Sequence, residues 1–217
     1  SLISGHLGGA DALAQRVASS LGSIAVITSA SHVMGTLPVD LLGQEFGWSL
    51  NAESEAVTRA SAAVVNGEPV GIYQESGEPG WWPHNRPLPS NITVFESLES
   101  LAASPCAAAL LVTDSKDYTL GQPRGLSDAL AKKNVIVYYP KSLVVGMGCR
   151  RGVPMRELEQ LWLDTFKRHD LAPDSLRCIA TAELKRDEPG LQELAEKYGV
   201  PLHCFGADEL NGMFDPG

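Results

Sequence analysis

The chain has 217 residues, 44% of them hydrophobic and 20% charged, with a formal net charge of −9. That composition describes globular material, enough for one large domain or a few small ones. The acidic balance argues against nucleic acid, which needs a basic face, and no apolar run approaches the roughly 20 residues that span a bilayer.

A short apolar segment, Ser1-Leu2-Ile3, runs directly into a glycine-rich turn, Ser4-Gly5-His6-Leu7-Gly8-Gly9-Ala10-Asp11. A strand just ahead of such a turn usually has chain upstream, so the sequence reads as a fragment of a longer or fused protein. Ala10, Leu13, Ala14, Val17, Ala18 and Leu21 then follow helical spacing, with Gly22 as the stop, and residues 24–28 read as a buried strand. Leu37 to Phe46 and Glu53 to Val65 are again spaced as helices, the second behind Asn51 as a cap and ahead of Asn66-Gly67 as a stop. A strand over Pro69 to Tyr73 precedes a polar, proline-rich stretch, Glu75 to Asn91, that reads as a loop. Its Trp81-Trp82 pair either anchors the loop or covers the flat face of a large ligand.

Strands at 92–95, 109–113 and 135–139 follow, with a short helix at 126–132. From Ser142 onward the pattern is regular: strand 143–146, helix 155–168, strand 176–180, helix 191–198, strand 202–205. The helix from Met155 has one apolar face, made of Met155, Leu158, Leu161, Trp162 and Phe166. Such alternation predicts an α/β fold with parallel sheets. Four cysteines without C-x-x-C spacing argue against structural zinc and a disulfide framework, and point to a reducing cytoplasm.

The strongest functional signal is a second glycine turn, Gly146-Met147-Gly148-Cys149-Arg150-Arg151-Gly152. A strand–glycine turn–helix unit points backbone N–H groups beyond the strand's C-terminal end, which suits an anion. Adjacent Arg150 and Arg151 at a helix N-terminus oppose the macrodipole by up to about 1 kcal/mol unless an anion offsets them. Glu157 and Glu159 are internal candidates for that anion. The preferred reading is a ligand carboxylate, since each charge-assisted bond contributes about 1.5–3 kcal/mol. Gly148 lets backbone approach the ligand, and Cys149 is either a small packing residue or a low-pKa thiolate.

The first turn lacks the lysine and hydroxyl of a phosphate loop, and its spacing is not the dinucleotide fingerprint, which disfavours a nucleotide-binding regulator. Gly5, Gly8 and Gly9 either face a ligand or allow close packing. His6, at the mouth of that turn, is either an acid–base group, a metal-facing ligand or a turn residue bonded to backbone. A third cluster, Ala180-Thr181-Ala182-Glu183-Leu184-Lys185-Arg186-Asp187-Glu188-Pro189-Gly190-Leu191, follows a strand and precedes a helix. A parallel sheet puts it on the same edge as the arginine turn. Glu183, Lys185 and Glu188 offer acid–base and carboxylate-binding groups there, or else form a solvated charged loop.

These three motifs, in this order, resemble the cobalt-precorrin-5A hydrolase family of anaerobic cobalamin biosynthesis. The first is similar to that family's S-G-H-x-G-G-A-N turn, the second to its G-x-G-C-R-R-G signature, the third to its T-x-x-x-K-x-D-E-x-G-L stretch. Asp11 stands where the family has Asn, and Val153 where a Thr is common. The family's T-T-A-T-D is here Thr28-Ser29-Ala30-Ser31-His32. The resemblance implies two small parallel-sheet α/β lobes linked by a middle region: 1–35 as the remnant of an N-terminal domain, 36–140 as the middle, 141–217 as the C-terminal domain.

It also implies a cobalt-corrinoid substrate whose δ-lactone is opened by water, with loss of acetaldehyde. No separate cofactor is implied, because the substrate carries the cobalt, and neighbouring pathway enzymes are the implied partners. The chemistry asks for a base, for which His6 and Glu183 are candidates, and for an oxyanion site, which the N–H groups of either glycine turn can supply. Arg150, Arg151 and Lys185 would hold peripheral carboxylates. The alternative is a non-catalytic corrinoid-binding carrier or chaperone, since the C-terminal region also resembles small stand-alone proteins of aerobic cobalamin synthesis.

Overall fold

A computed structural model of the chain describes residues 13, 16–18, 20–23, 36–83, 86–120 and 125–212. The first glycine turn, with Gly5, His6, Gly8 and Gly9, and the strand expected at 24–28 lie outside them. The described residues 16–18 and 20 are helical, as expected. The Ser23 N–H closes back on the Ala18 carbonyl at 2.8 Å, ending that helix at Gly22.

The chain divides into two compact units, Ser1–Thr113 with Thr119–Pro140, and Asp114–Tyr118 with Lys141–Gly217. The first holds β1 (Ser49–Asn51), α1 (Ser54–Val65), β2 (Val70–Gln74), β3 (Ile92–Phe95), α2 (Leu98–Ala103), β4 (Ala108–Val112), α3 (Leu126–Ala131) and β5 (Asn134–Tyr139). Its five-stranded sheet has the order β1-β5-β4-β2-β3, parallel except for β1, which runs against β5. The expected middle region therefore carries the larger of the two sheets. All five residues of β4 are buried, as a central parallel strand requires. Val57, Ala60, Ala63 and Val64 of α1 pack with Val70, Ile72, Leu110 and Ile136 in one core.

Two expectations fail in this unit. Leu37 to Phe46 is not an α-helix. The N–H groups of Leu41, Gln44 and Phe46 donate to the carbonyls of Pro38, Leu41 and Gly43, giving tight i→i+3 turns. Leu37, Val39 and Leu42 still reach the core from this irregular path, which satisfies the same apolar spacing. Asn51 is not a cap either. It belongs to β1, and its Nδ2 donates to the Tyr139 hydroxyl at 3.2 Å, while α1 starts after Glu53 without a side-chain cap. At the other end, the Glu68 N–H reaches the Ala63 carbonyl at 2.9 Å, so α1 stops at Asn66-Gly67 as expected.

The proline-rich stretch is a loop pinned by one amide. Gln74 Nε2 donates to the carbonyls of Ser76 and Glu78, both at 3.0 Å, and Gln74 Oε1 accepts from Trp81 Nε1 at 2.8 Å. Trp82 Nε1 donates to the Arg86 carbonyl, and the Arg86 guanidinium lies over the Trp82 ring. Trp81 and Trp82 both pack against the core, which is the anchoring role.

The second unit alternates strand and helix: β6 (Leu143–Gly146), α4 (Met155–Arg168), β7 (Leu176–Ala182), α5 (Pro189–Tyr198), β8 (Leu202–Phe205) and α6 (Ala207–Gly212). Its three strands are parallel in the order β6-β7-β8. Leu158, Trp162 and Phe166 of α4 meet Leu191, Leu194 and Ala195 of α5 in the core. Leu161 does not join them; it is 59% exposed, one position off the buried stripe. Lys197 Nζ and the Tyr198 hydroxyl of α5 both bond the Glu159 carboxylate of α4, which fastens the two helices on their outer side. Among the described residues, no helix is long and apolar enough to cross a membrane.

Candidate functional site

Parallel pairing sets the site. Gly146 of β6 lies beside Ala180 of β7, and Ala182 lies beside Phe205 of β8. All three strands therefore deliver their following turns to one edge, the ligand edge of an open α/β sheet. The arginine turn and the 183–188 turn are neighbours there, as the sequence predicts.

Two pins hold the arginine turn. At its start, the Met147 N–H donates to the Ala180 carbonyl at 2.8 Å, and the Thr181 hydroxyl donates to the Met147 carbonyl at 2.7 Å. At its end, the Gly152 N–H donates to Glu188 Oε2 at 2.9 Å. Gly152 has φ +71°, a conformation that favours glycine, and it aims this N–H at Glu188. Between the pins, the N–H groups of Gly148, Cys149, Arg150 and Arg151 meet no acceptor among the described residues.

Arg150 and Arg151 are exposed, and neither forms an ion pair within 4.0 Å among the described residues. The internal candidates do not reach them. Glu159 is taken by Lys197, 2.6 Å away, and by Tyr198, and Glu157 pairs with neither arginine. Burial and the bond to Glu159 push the Tyr198 hydroxyl up to about 12. Helix α4 starts after Pro154 without a side-chain cap and carries Glu157 in its first turn, so the two arginines lie just upstream of the helix rather than in it. Cys149 is half-buried and packs against the core, as a small apolar residue does.

The 183–188 turn has a different character. Glu183 is exposed and takes both ends of the Arg186 fork, at 2.6 and 2.7 Å. Arg186 holds its carboxyl below the usual carboxylate range, which makes Glu183 a weak proton acceptor at neutral pH. Lys185 Nζ lies 3.3 Å from Glu188 Oε1, and Glu188 is 8% exposed. The Gly152 N–H, and after it Lys185 and the nearby charge of Arg151, hold the Glu188 carboxyl below its ordinary value, against the opposing effect of burial. The structure thus brings Gly148, Cys149, Arg150, Arg151, Glu183, Lys185 and Glu188 to one edge. Among the described residues Arg150 and Arg151 form no ion pair within 4.0 Å, while the other three charged residues are paired.

Thr181 escapes a site prediction from sequence. Its one signal is a hydroxyl in an otherwise apolar strand end. A groove of about 400 Å³ beside β6, lined by Val144, Gly146, Leu161 and Trp162 among others, is equally unannounced, because it depends on which face of α4 the sheet covers.

Comparison with known proteins adds three findings. Models described as cobalamin synthesis G N-terminal, cobalamin biosynthesis central region and cobalamin synthesis G C-terminus match residues 1–32, 37–140 and 143–216. A cobalt-precorrin-5A hydrolase of Priestia megaterium is 41% identical over 98% of this chain and 55% of its own length. One of Salmonella typhimurium is 29% identical over 97% of the chain and 56% of its own length. The chain thus spans about half the length of these curated relatives. A crystal structure of a cobalamin biosynthesis protein G homolog from Sulfolobus solfataricus aligns with 96% of this chain and 53% of its own, at 18% identity and a TM-score of 0.32.

Proposed function

The chain belongs to the cobalamin synthesis G family, and from that premise we propose that its protein is a cobalt-precorrin-5A hydrolase. It opens the δ-lactone of a cobalt-bearing corrinoid with water, and the two-carbon fragment leaves as acetaldehyde. The cobalt belongs to the substrate. Similarity to two hydrolases along nearly the whole chain supports the activity.

The observation that carries the binding part is the arginine turn: among the described residues the N–H groups from Gly148 to Arg151 meet no acceptor, and the two exposed guanidiniums form no ion pair. Corrinoid precursors bear peripheral carboxylates, and planar guanidinium forks suit them. Arg150 and Arg151 bind those carboxylates and orient the macrocycle. The same N–H row can stabilise an oxyanion that forms as water adds to the lactone carbonyl. Proton transfer is assigned to His6 on its position in the first glycine turn. The protein works in the cytoplasm, as a biosynthetic enzyme with four thiols would.

Two measurements test this reading on the intact protein under anaerobic conditions. Incubation with the cobalt-lactone corrinoid should release acetaldehyde, and binding should favour a corrinoid with free carboxylates over its methyl ester. Binding without acetaldehyde would instead make the protein a carrier. Equal binding of acid and ester would remove the arginine turn from the site.

A further inference from the structure

Four residues of the third motif bear on the second, two by direct hydrogen bonds and two through a neighbour. Thr181 donates to the Met147 carbonyl and holds the start of the arginine turn. Glu188 accepts from the Gly152 N–H and holds its end. Lys185 bonds the other oxygen of that carboxylate, so Glu188 is fixed from both sides. Gly190 lets the first turn of α5 press against the Val153 carbonyl, immediately after the turn.

We infer that residues 181–190 are a brace that sets the shape of the arginine turn, with Thr181 and Glu188 as positioning residues rather than ligand contacts. This rests on the carboxylate-binding reading and deepens it. Both oxygens of this buried carboxylate are already engaged, one by a backbone N–H and the other by a lysine, and it has no proton to donate to a ligand carboxylate. A ligand carboxylate would also be repelled by it. Glu188 is nonetheless well placed to act on the ligand indirectly. It fixes Gly152 and thereby the direction of the four N–H groups and two side chains ahead of it. Anion binding by a short turn depends on such preorganisation, because a loose turn must be ordered at the expense of affinity. Glu188 is also the residue that begins α5, and its own carbonyl accepts from Leu191 and Gln192. Its side chain leaves its own helix without a cap and serves the neighbouring turn instead. Glu183 and Arg186, paired with each other at the surface, stand outside this brace.

The test compares the intact wild-type protein with E188A, E188Q, T181V and T181S. The amide of Gly152 is followed by hydrogen exchange in glycine-labelled protein, and affinity is measured for a carboxylate corrinoid and for its methyl ester. E188A should lose the protection of the Gly152 amide and about five- to tenfold in affinity for the acid, the scale of one hydrogen bond. E188Q keeps an acceptor oxygen for Gly152 and should recover affinity to within about twofold of wild type. T181V should act like E188A on affinity, and T181S, which keeps the hydroxyl, should restore it. Ester affinity should be the same in all five proteins. Loss of Gly152 protection with unchanged acid affinity would overturn the positioning role. An equal loss in E188A and E188Q, with Gly152 still protected, would overturn it in favour of direct contact. A wild type that binds acid and ester alike would instead remove the carboxylate reading, and the positioning role with it, even if the Gly152 amide still reports the brace.

Discussion

Gly190 and Val153 are so close that a methyl group on Gly190 would lie 2.3 Å from the Val153 carbonyl oxygen. That oxygen is backbone, held between the arginine turn and α4, so it cannot swing aside as a side chain would. The start of α5 and the end of the arginine turn therefore meet at van der Waals distance only because position 190 has no side chain.

Gly190→Ala should accordingly destabilise the protein by about 1–3 kcal/mol, the usual scale for overpacking a buried contact. It should also weaken corrinoid binding, since the strain falls on the turn itself. Thermal melting and a binding isotherm on the same samples check this. An alanine variant as stable as wild type would show that the two turns separate at little cost.

Arg150→Ala should weaken binding of a carboxylate corrinoid by about 1.5–3 kcal/mol, one charge-assisted bond. Its melting temperature should stay the same, because Arg150 is exposed and forms no ion pair among the described residues. Added salt should weaken wild-type binding more steeply than variant binding. A destabilised variant with wild-type affinity would mean that Arg150 serves the fold instead.

Acid should loosen the brace. The Glu188 carboxyl has a folded pKa below its ordinary value of 4.5, so the folded state favours its charged form. Its contribution is thus present above the unfolded pKa and lost as pH falls through the lowered folded value. Urea midpoints followed downward from pH 6 should fall more steeply for wild type than for E188Q once the pH drops below 4.5. Parallel curves would show that this carboxylate contributes nothing to the pH dependence.

His6→Ala should reduce turnover more than corrinoid binding if His6 transfers a proton during lactone opening. Steady-state rates beside a separate affinity measurement distinguish the outcomes. Weakened binding at an unchanged rate would make His6 a substrate-positioning group. No change in either would remove it from the site.

Much of this molecule follows from local pattern. Helix α4 and strands β3, β6 and β8 fall where periodicity places them, because each has an unambiguous apolar rhythm and clear stops. The arginine turn and its edge were legible for a related reason: a glycine turn after a parallel strand has one place to go. Strand β1 and helices α2 and α6 were not. Strand β1 has three residues and exists because β5 pairs with it, and α2 is set by its Ser97 cap and by burial of Leu98, Leu101 and Ala102. Leu37 to Phe46 shows the opposite failure, since three apolar residues reach a core equally well from successive turns as from a helix.

By itself, the sequence determined the α/β class, the family motifs and the two arginines set at a helix start, all of which depend on residues close together in the chain. Only the tertiary structure decided which charges remain available. Glu159 lies nearer to the arginines in sequence than Lys197 does, yet it bonds Lys197 and Tyr198 across the helix pair. Glu188 lies 36 positions from Gly152 and bonds it directly. Charge pairing depends on distance in space, which the packing of α4, β7 and α5 sets, and that packing left Arg150 and Arg151 exposed while it drew Glu159 to Lys197 and Glu188 to Gly152.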